Sequence, residues 1–313
     1  MGTLNGFVYV FFGAGDGSFM LARTLTTPRD NLKSIAVGDL TGDGRPDIVA
    51  TGGGSSYVLF RGTSTGSFSQ PQAVELGAYL YSSAVGHFDG DGILDVAMGS
   101  MATSDLGVYV FRGGPAGLVL TSKSPLNGYS AALSAGDVDG DGKQDLISNA
   151  DGVAQLLFGR GDGTFAPAVQ HTLGAEYGGY LVSIVDVNSD GRRDLVSTIR
   201  VPPTGGFSVV LNLGARALGQ TMPGTIACGR GPLLVADWTR DSLPDVVCAA
   251  RDLSLTVGNG DGTFRGWFPI AAPDIGAGAN DYISSVAADL NHDGRVDIVQ
   301  AGGHSLAVYR VQP

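Results

Sequence analysis

The chain is short of charge, of cysteine and of long apolar runs, and each shortage removes a class of protein. Only 16% of its 313 residues are Asp, Glu, Lys or Arg, while 43% are hydrophobic; a disordered, self-repelling polymer has the opposite balance. Lys and Arg number 19 against 30 acidic residues, a formal net charge of −11. With no basic stripe to neutralise phosphates, nucleic acid is not expected as a partner. No stretch approaches the roughly eighteen apolar residues of a membrane-spanning helix, so no insertion into a membrane is expected. The start, MGTLNGFVYV, lacks the basic head and apolar core of a signal peptide, and Gly6 stands where a myristoylation signal needs Ser or Thr. We therefore read Met1 as the beginning of a processed or excised chain.

The two cysteines, Cys228 and Cys248, allow at most one disulfide. It would close the fifth repeat described below and contribute about 3 kcal/mol; the alternative is a pair of small buried thiols. Catalytic motifs are missing too. The four histidines, His87, His171, His292 and His304, show no zinc-ligand spacing, and there is no GxSxG nucleophile.

What the chain has in abundance is glycine, 50 residues, and one nine-residue motif written six times at intervals of about fifty. The copies are DLTGDGRPD from Asp39, HFDGDGILD from His87, DVDGDGKQD from Asp137, DVNSDGRRD from Asp186, DWTRDSLPD from Asp237 and DLNHDGRVD from Asp289. Oxygen-bearing side chains fall at the first, third, fifth and ninth positions, and a glycine usually follows the fifth, where a tight turn needs positive φ. Carboxylates so close together repel one another unless a hard divalent cation sits among them. Well over half of the acidic residues lie in these loops, so the negative charge is internal to metal sites, and six dications would bring the chain close to neutral.

The grammar around each loop is constant. In the third copy Leu133 to Asp137 read as a strand, the loop follows, Asp145 to Ser148 return, Ala154 to Phe158 form a third strand, and GRGDGTF turns into a fourth from Ala166 to His171. Four antiparallel strands per fifty residues make a propeller blade. The third strand recurs as VYVFFG, YVLFRG, VYVFRG, QLLFGR, VVLNLG, LSLTVG and LAVYR. These runs are continuously apolar, as strands buried on both faces should be. The expected fold is all-β: one β-propeller domain over residues 1–313.

DxDGDGxxD between the first two strands, with FGxGDGxF between the last two, resembles the FG-GAP and VCBS repeat family, whose propellers also occur in integrin α-subunits. The resemblance covers nearly the whole chain and implies calcium in the first hairpin of each blade. It does not imply one function, because the scaffold carries adhesion, sugar-binding and lyase activities. Six first strands favour six blades, with the ring closed by the N-terminal strand around Phe19 to Thr24 beside the C-terminal strands ending near Arg310. The seven third strands keep a seven-bladed ring as the alternative.

The candidate calcium ligands differ in quality from loop to loop. Asp137, Asp139, Asp141 and Asp145, with the Lys143 carbonyl, form the most complete set. Asp186, Asn188, Asp190 and Asp194 keep four oxygens, as do Asp289, Asn291, Asp293 and Asp297. Asp39, Thr41, Asp43 and Asp47 include a hydroxyl. Two loops should bind weakly. In the second, His87 replaces the first carboxylate and leaves Asp89, Asp91 and Asp95, imidazole being a poor ligand for a hard cation. In the fifth, Ser242 replaces the glycine beside Asp237, Thr239, Asp241 and Asp245. Up to six calcium ions are thus expected, as staples of hairpins rather than as catalysts. Loops of this kind fill most easily where calcium is millimolar, which favours a secreted or cell-surface protein.

The end of each blade away from the loops carries the variable sequence, and with it the candidate recognition surface. Tyr81, Tyr129, Tyr180 and Tyr282 precede inner strands at nearly equal distances from their loops, with Tyr79 and Tyr177 nearby. Aromatic faces with polar tips suit stacking on sugars or a protein hot spot, or else packing at blade junctions. The connections GSMATSDLG from Gly99 and RVPPTGGF from Arg200 are the longest on that side. Arg160, Gly161 and Asp162 spell an integrin-recognition tripeptide, but where another repeat writes GNGDGTF, so it reads as variation of a turn. The expected function is a binding or adhesion module for extracellular carbohydrate or protein. A polysaccharide lyase built on His171, Tyr177, Tyr180 and Arg200 is the enzymatic alternative, and a purely structural domain of a larger surface protein is the other.

Overall fold

The structure, a computed structural model, describes residues 6–52, 54–102, 104–150, 152–173, 182–199, 206–224, 231–250, 252–271, 284–302 and 305–310. It is all-β. A hairpin of β1 (Phe7–Gly13) and β2 (Phe19–Thr26) comes first and forms a two-stranded sheet. Six blades follow. They are β3 (Leu32–Gly38), β4 (Asp47–Gly52), β5 (Ser56–Phe60) and β6 (Gln72–Glu75); β7 (Leu80–Gly86), β8 (Asp95–Ser100), β9 (Gly107–Arg112) and β10 (Val119–Pro125); and β11 (Ala132–Gly136), β12 (Asp145–Ala150), β13 (Val153–Leu157) and β14 (Val169–Thr172). Next come β15 (Val182–Val185), β16 (Asp194–Ile199), β17 (Gly206–Gly214) and β18 (Ala217–Pro223), then β19 (Leu233–Ala236), β20 (Asp245–Ala249), β21 (Leu253–Gly258) and β22 (Phe264–Ile270). The sixth, β23 (Ser284–Ala288), β24 (Asp297–Gly302) and β25 (Ser305–Tyr309), shows three strands among the described residues. Every sheet runs in chain order, with neighbouring strands antiparallel, as in the pairing of Gly86 with Asp95 and Val96 with Phe111. These are the meandering blades of a β-propeller.

Contacts gather the chain into two compact units, Met1–Phe11 with Leu21–Ala150 and Ala154–His171, and Phe12–Met20 with Asp151–Val153 and Thr172–Pro313. In the first unit the second and third strands of a blade are mostly apolar and almost wholly buried because each of their faces meets a different layer. Val49, Tyr57 and Leu59 pack with Val96, Met98, Tyr109 and Phe111, whereas the alternate residues Ile48, Ala50, Val58 and Phe60 pack with Val8 and Leu32. Ala97, Val108 and Val110 in turn face Leu146, Leu157 and Phe165. Period-two alternation is therefore present, hidden because both faces are buried. Rings seal the layers edge to face, Tyr57 on Phe111 at 5.2 Å and Phe88 on Phe165 at 5.6 Å. Burial of each such side chain stabilises the fold by about 1.5–3 kcal/mol. The fourth strands are outer edges, and β6 is exposed along its whole length.

The second unit repeats the scheme. Val246 and Cys248 pack with Val196, Phe207 and Val209, while Val247 and Ala249 pack with Leu253 and Ile298. Cys248 is buried and disulfide-bonded; Cys228, the other cysteine of the chain, lies outside the described residues. The turn between β1 and β2 also belongs to this unit, and a Cβ at Gly17 would come within 2.8 Å of the Arg310 guanidinium, just past β25. β2, which contains the segment Phe19 to Thr24 expected to close the ring, is hydrogen-bonded to β1, because the GDGSF turn joins the two locally.

Candidate metal loops and the opposite end of the blades

All six acidic loops connect the first and second strands of a blade, and each ends on a buried aspartate: Asp47, Asp95, Asp145, Asp194, Asp245 and Asp297. This residue ties two turns together. One oxygen, Oδ2, accepts the N–H of the second loop residue: Leu40 at 3.0 Å, Phe88 at 2.8, Val138 at 2.9, Val187 at 3.0, Trp238 at 2.9 and Leu290 at 3.2 Å. In the first five blades Oδ1 accepts an N–H from the end of the third strand: Gly62 at 2.8 Å, Gly113 at 3.0, Gly159 at 2.8, Asn212 at 2.8 and Gly258 at 2.9 Å. The acidic loop and the turn between third and fourth strands thus share one end of each blade. Burial pushes the Asp145 carboxyl up to about 6 against the N–H bonds that favour its charge, and moves Asp95 and Asp194 in the same direction.

The glycine at the end of the third strand is required by close approach. A Cβ on Gly113 would stand 2.2 Å from the Leu94 carbonyl oxygen, and one on Gly159 would stand 2.2 Å from that of Gln144. Asn212 fills this place in the fourth blade and uses its side chain, Nδ2 donating to the Arg193 carbonyl at 3.0 Å.

The first aspartate of each loop shapes the turn. Asp39 accepts the N–H groups of Gly42, Asp43 and Gly44 at 2.7, 3.1 and 2.7 Å. Its partial burial would raise its pKa, but these bonds outweigh that and hold the carboxyl below its ordinary value. Asp137, Asp186, Asp237 and Asp289 likewise accept the N–H of the sixth residue, from Gly142, Gly191, Ser242 and Gly294. That residue has positive φ in every loop, Ser242 included at 69°. The fourth residue does too: Gly42, Gly90 and Gly140, but also Ser189, Arg240 and His292 at 59°, 63° and 60°. Sequence reading anticipated only the sixth position, because the fourth is glycine in three copies and something else in the rest.

The donor sets suit a hard cation to different degrees. Oxygens of Asp137, Asp139 and Asp145 lie within 4.8 Å of one another, and so do those of Asp237, Asp241 and Asp245. The fifth loop, expected to bind weakly, therefore assembles one of the two carboxylate clusters found among the described residues. In the first loop the Thr41 hydroxyl is buried and has no hydrogen-bond partner among the described residues, which suits a ligand oxygen. A carboxylate has about four lone-pair sites, so Asp145 and Asp245 can hold their three N–H groups and still ligate. The second loop is different: Arg112, from the end of β9, places Nε 3.2 Å from Asp89 and 3.1 Å from Asp91.

At the other end of the blades stand the tyrosines. Tyr129 precedes β11 and is 37% exposed. Tyr81 lies at the matching end of β7, half-buried, with the Lys33 ammonium 5.7 Å from its ring centroid. Beneath them serines join the inner strands, Ser34 to Ser83 at 2.7 Å and Ser82 to Ser130 at 3.1 Å. Tyr177, Tyr180, Tyr282 and Arg200 lie outside the described residues. In the connection after β8, Asp105 accepts from both the Tyr109 hydroxyl and the Lys123 ammonium. His171, on β14, has a buried Nε2 with no partner among the described residues.

The tripeptide at Arg160 is occupied by its own turn. Arg160 Nη1 donates to the Phe165 carbonyl at 2.7 Å, and Asp162 Oδ1 accepts the N–H and hydroxyl of Thr164 at 2.9 and 2.6 Å. Asp16 with Ser18 and Asp261 with Thr263 make the same pair of bonds, so the aspartate of each GDG turn is an Asx-turn acceptor.

Comparison with known proteins agrees with this architecture. No curated protein matches the chain. Among solved structures, an Agrocybe aegerita lectin described for specific recognition of non-reducing terminal N-acetylglucosamine is 21% identical; the match covers 98% of this chain and 88% of that one, with a TM-score of 0.67. The Photorhabdus luminescens Tc holotoxin pore is 16% identical, over 94% of this chain and 16% of its own, with a TM-score of 0.44. The model of the FG-GAP-like repeat matches residues 2–50, 39–98, 87–148, 137–197 and 205–299. These five matches span most of the chain, which belongs to the FG-GAP-like repeat family.

Proposed function

We propose that this propeller is a carbohydrate-binding module whose acidic loops hold calcium and whose recognition surface is the tyrosine-bearing end of the blades. The observation that carries the reading is the pairing of position and exposure. Tyr129 is exposed and Tyr81 lies beside Lys33, both at the end of their blades remote from the acidic loops. An exposed ring at one blade and a ring with an ammonium beside it at another suit a sugar, whose apolar face stacks while its hydroxyls find donors and acceptors. The fold is shared with a lectin, so sugar recognition is compatible with this architecture.

Calcium supplies positive charge among the loop carboxylates and fixes the first hairpin of the blades whose loops can hold it. The loop residues shape its turn, and the ninth aspartate passes that order to the turn beyond the third strand. The acidic residues are thereby committed to structure, which leaves no carboxylate pair arranged for hydrolysis among the described residues. Loops of modest affinity fit an extracellular setting, where calcium is plentiful.

The test is a glycan array probed with calcium-loaded protein, terminal N-acetylglucosamine included, beside a Tyr129→Ala variant. The reading expects binding that the variant loses at unchanged melting temperature. An array with no binding would overturn it.

A further inference from the structure

The second acidic loop differs from the other five in three respects that bear on one question. Its first residue is His87, whose Nδ1 lies 3.1 Å from the Ile93 carbonyl oxygen. A carbonyl can only accept, so Nδ1 carries the proton and donates it. Ile93 is the seventh loop residue, the one whose carbonyl the third loop offers through Lys143. Thus the first carboxylate is missing, and the seventh carbonyl already has one of its two lone pairs engaged. The third and fifth positions, Asp89 and Asp91, share one guanidinium, with Arg112 Nε 3.2 Å from one carboxylate and 3.1 Å from the other.

This donor set does not fit calcium. A hard dication needs six to eight oxygen ligands, and a guanidinium at hydrogen-bond distance from two of the three remaining carboxylates stands in its way by charge and by volume. We propose that the second loop is metal-independent, with Arg112 supplying from the end of the third strand the positive charge that a bound ion supplies elsewhere.

The corresponding residues of other blades do not do this. Arg61, at the same place in the first blade, donates instead to the Pro115 and Ala116 carbonyls at 3.1 and 2.6 Å. Phe158, Leu211 and Val257 carry no charge there, and Arg310, the counterpart in the sixth blade, lies against the turn of Asp16 and Gly17 instead. Arg45, Lys143 and Arg192 each bond to the fifth-position carboxylate two residues earlier on their own loop. In the fifth loop Arg265 Nη2 stays 3.9 Å from Asp241, while its Nη1 donates to the Gly258 carbonyl and to Asn259. The crossing arginine coincides with the loop that has lost its first aspartate.

The proposal rests on the calcium reading of the other loops only for its contrast. Bound calcium per chain is measured by elemental analysis after equilibration in calcium, for the full chain and for Asp89→Asn, Arg112→Gln and His87→Asp/Arg112→Gln. Asp89→Asn is expected to leave the calcium content unchanged, and the double variant to gain one equivalent. Loss of one equivalent in Asp89→Asn would overturn the proposal, since the loop would already hold an ion. Melting in excess EDTA separates the two readings. If no protein binds calcium, the calcium reading fails, while this proposal still expects Arg112→Gln to melt about 1–3 °C lower; an unchanged melting temperature would sink it.

Discussion

The N–H of Gly159 donates to Asp145 Oδ1 at 2.8 Å across fourteen residues, while Val138 donates to the other oxygen of the same carboxylate at 2.9 Å. One buried side chain thereby fixes the acidic loop against the turn between the third and fourth strands. The blade closes on itself at the end that carries the acidic loop.

Asp145→Ala would leave both N–H groups buried without an acceptor. We expect it to destabilise the protein by about 2–4 kcal/mol, with Asp145→Asn losing less because its carbonyl oxygen still accepts one of them. Urea denaturation in calcium and in EDTA measures this, and a loss seen only in calcium would mean that Asp145 acts solely as a ligand.

Gly159→Ala forces a Cβ to within 2.2 Å of the Gln144 carbonyl oxygen. Backbone cannot yield as a side-chain tip does, so the cost is expected at about 2 kcal/mol or more, in the range of overpacked sites. Gly44→Ala is the control: nothing stands near its Cβ, and it meets only the penalty of its positive φ.

Ser242 and His292 occupy left-handed backbone at φ of 69° and 60°. Replacing either with glycine removes the Cβ strain at some cost in chain entropy, for an expected gain of about 0.5–1 kcal/mol. The melting temperature should rise by a degree or two in each variant, and a fall in both would contradict the strain argument.

Burial holds the His171 imidazole below its ordinary pKa. The unfolded chain then takes up its proton first as pH falls, so stability is full above about 6.5 and declines below it until the folded state also protonates. Denaturation at pH 7.5 and 5.5 should show that decline in the parent protein and a shallower one in His171→Gln. Equal slopes would exclude His171 as the cause.

Much of this was legible in the sequence because the informative residues are local. Nine-residue loops with Asp137, Asp139, Asp141 and Asp145 at fixed offsets mark the first hairpin, and apolar runs such as Val108 to Phe111 mark strands buried on both sides. What escaped notice depends on contacts between distant residues. That Gly159 is glycine because Gln144 lies against it, and that Asp145 serves two turns, follows from pairing β12 with β13. Arg112 stands in the same FRG context as Arg61, and only the structure separates the one that enters an acidic loop from the one that caps a neighbouring turn. The left-handed fourth loop position was masked by Ser189, Arg240 and His292, residues that adopt it under strain.

The most direct test of the central claim, that cations in the acidic loops hold the blades together, is the melting temperature of the full chain in millimolar calcium and again in excess EDTA. Ions bound only by the folded state stabilise it by mass action, about 2.7 kcal/mol per site at a hundredfold excess over the dissociation constant, so melting in calcium should lie well above that in EDTA, with the gap reduced in Asp137→Asn. Coincident curves would show that hydrogen bonds alone staple these loops, and would contradict the account.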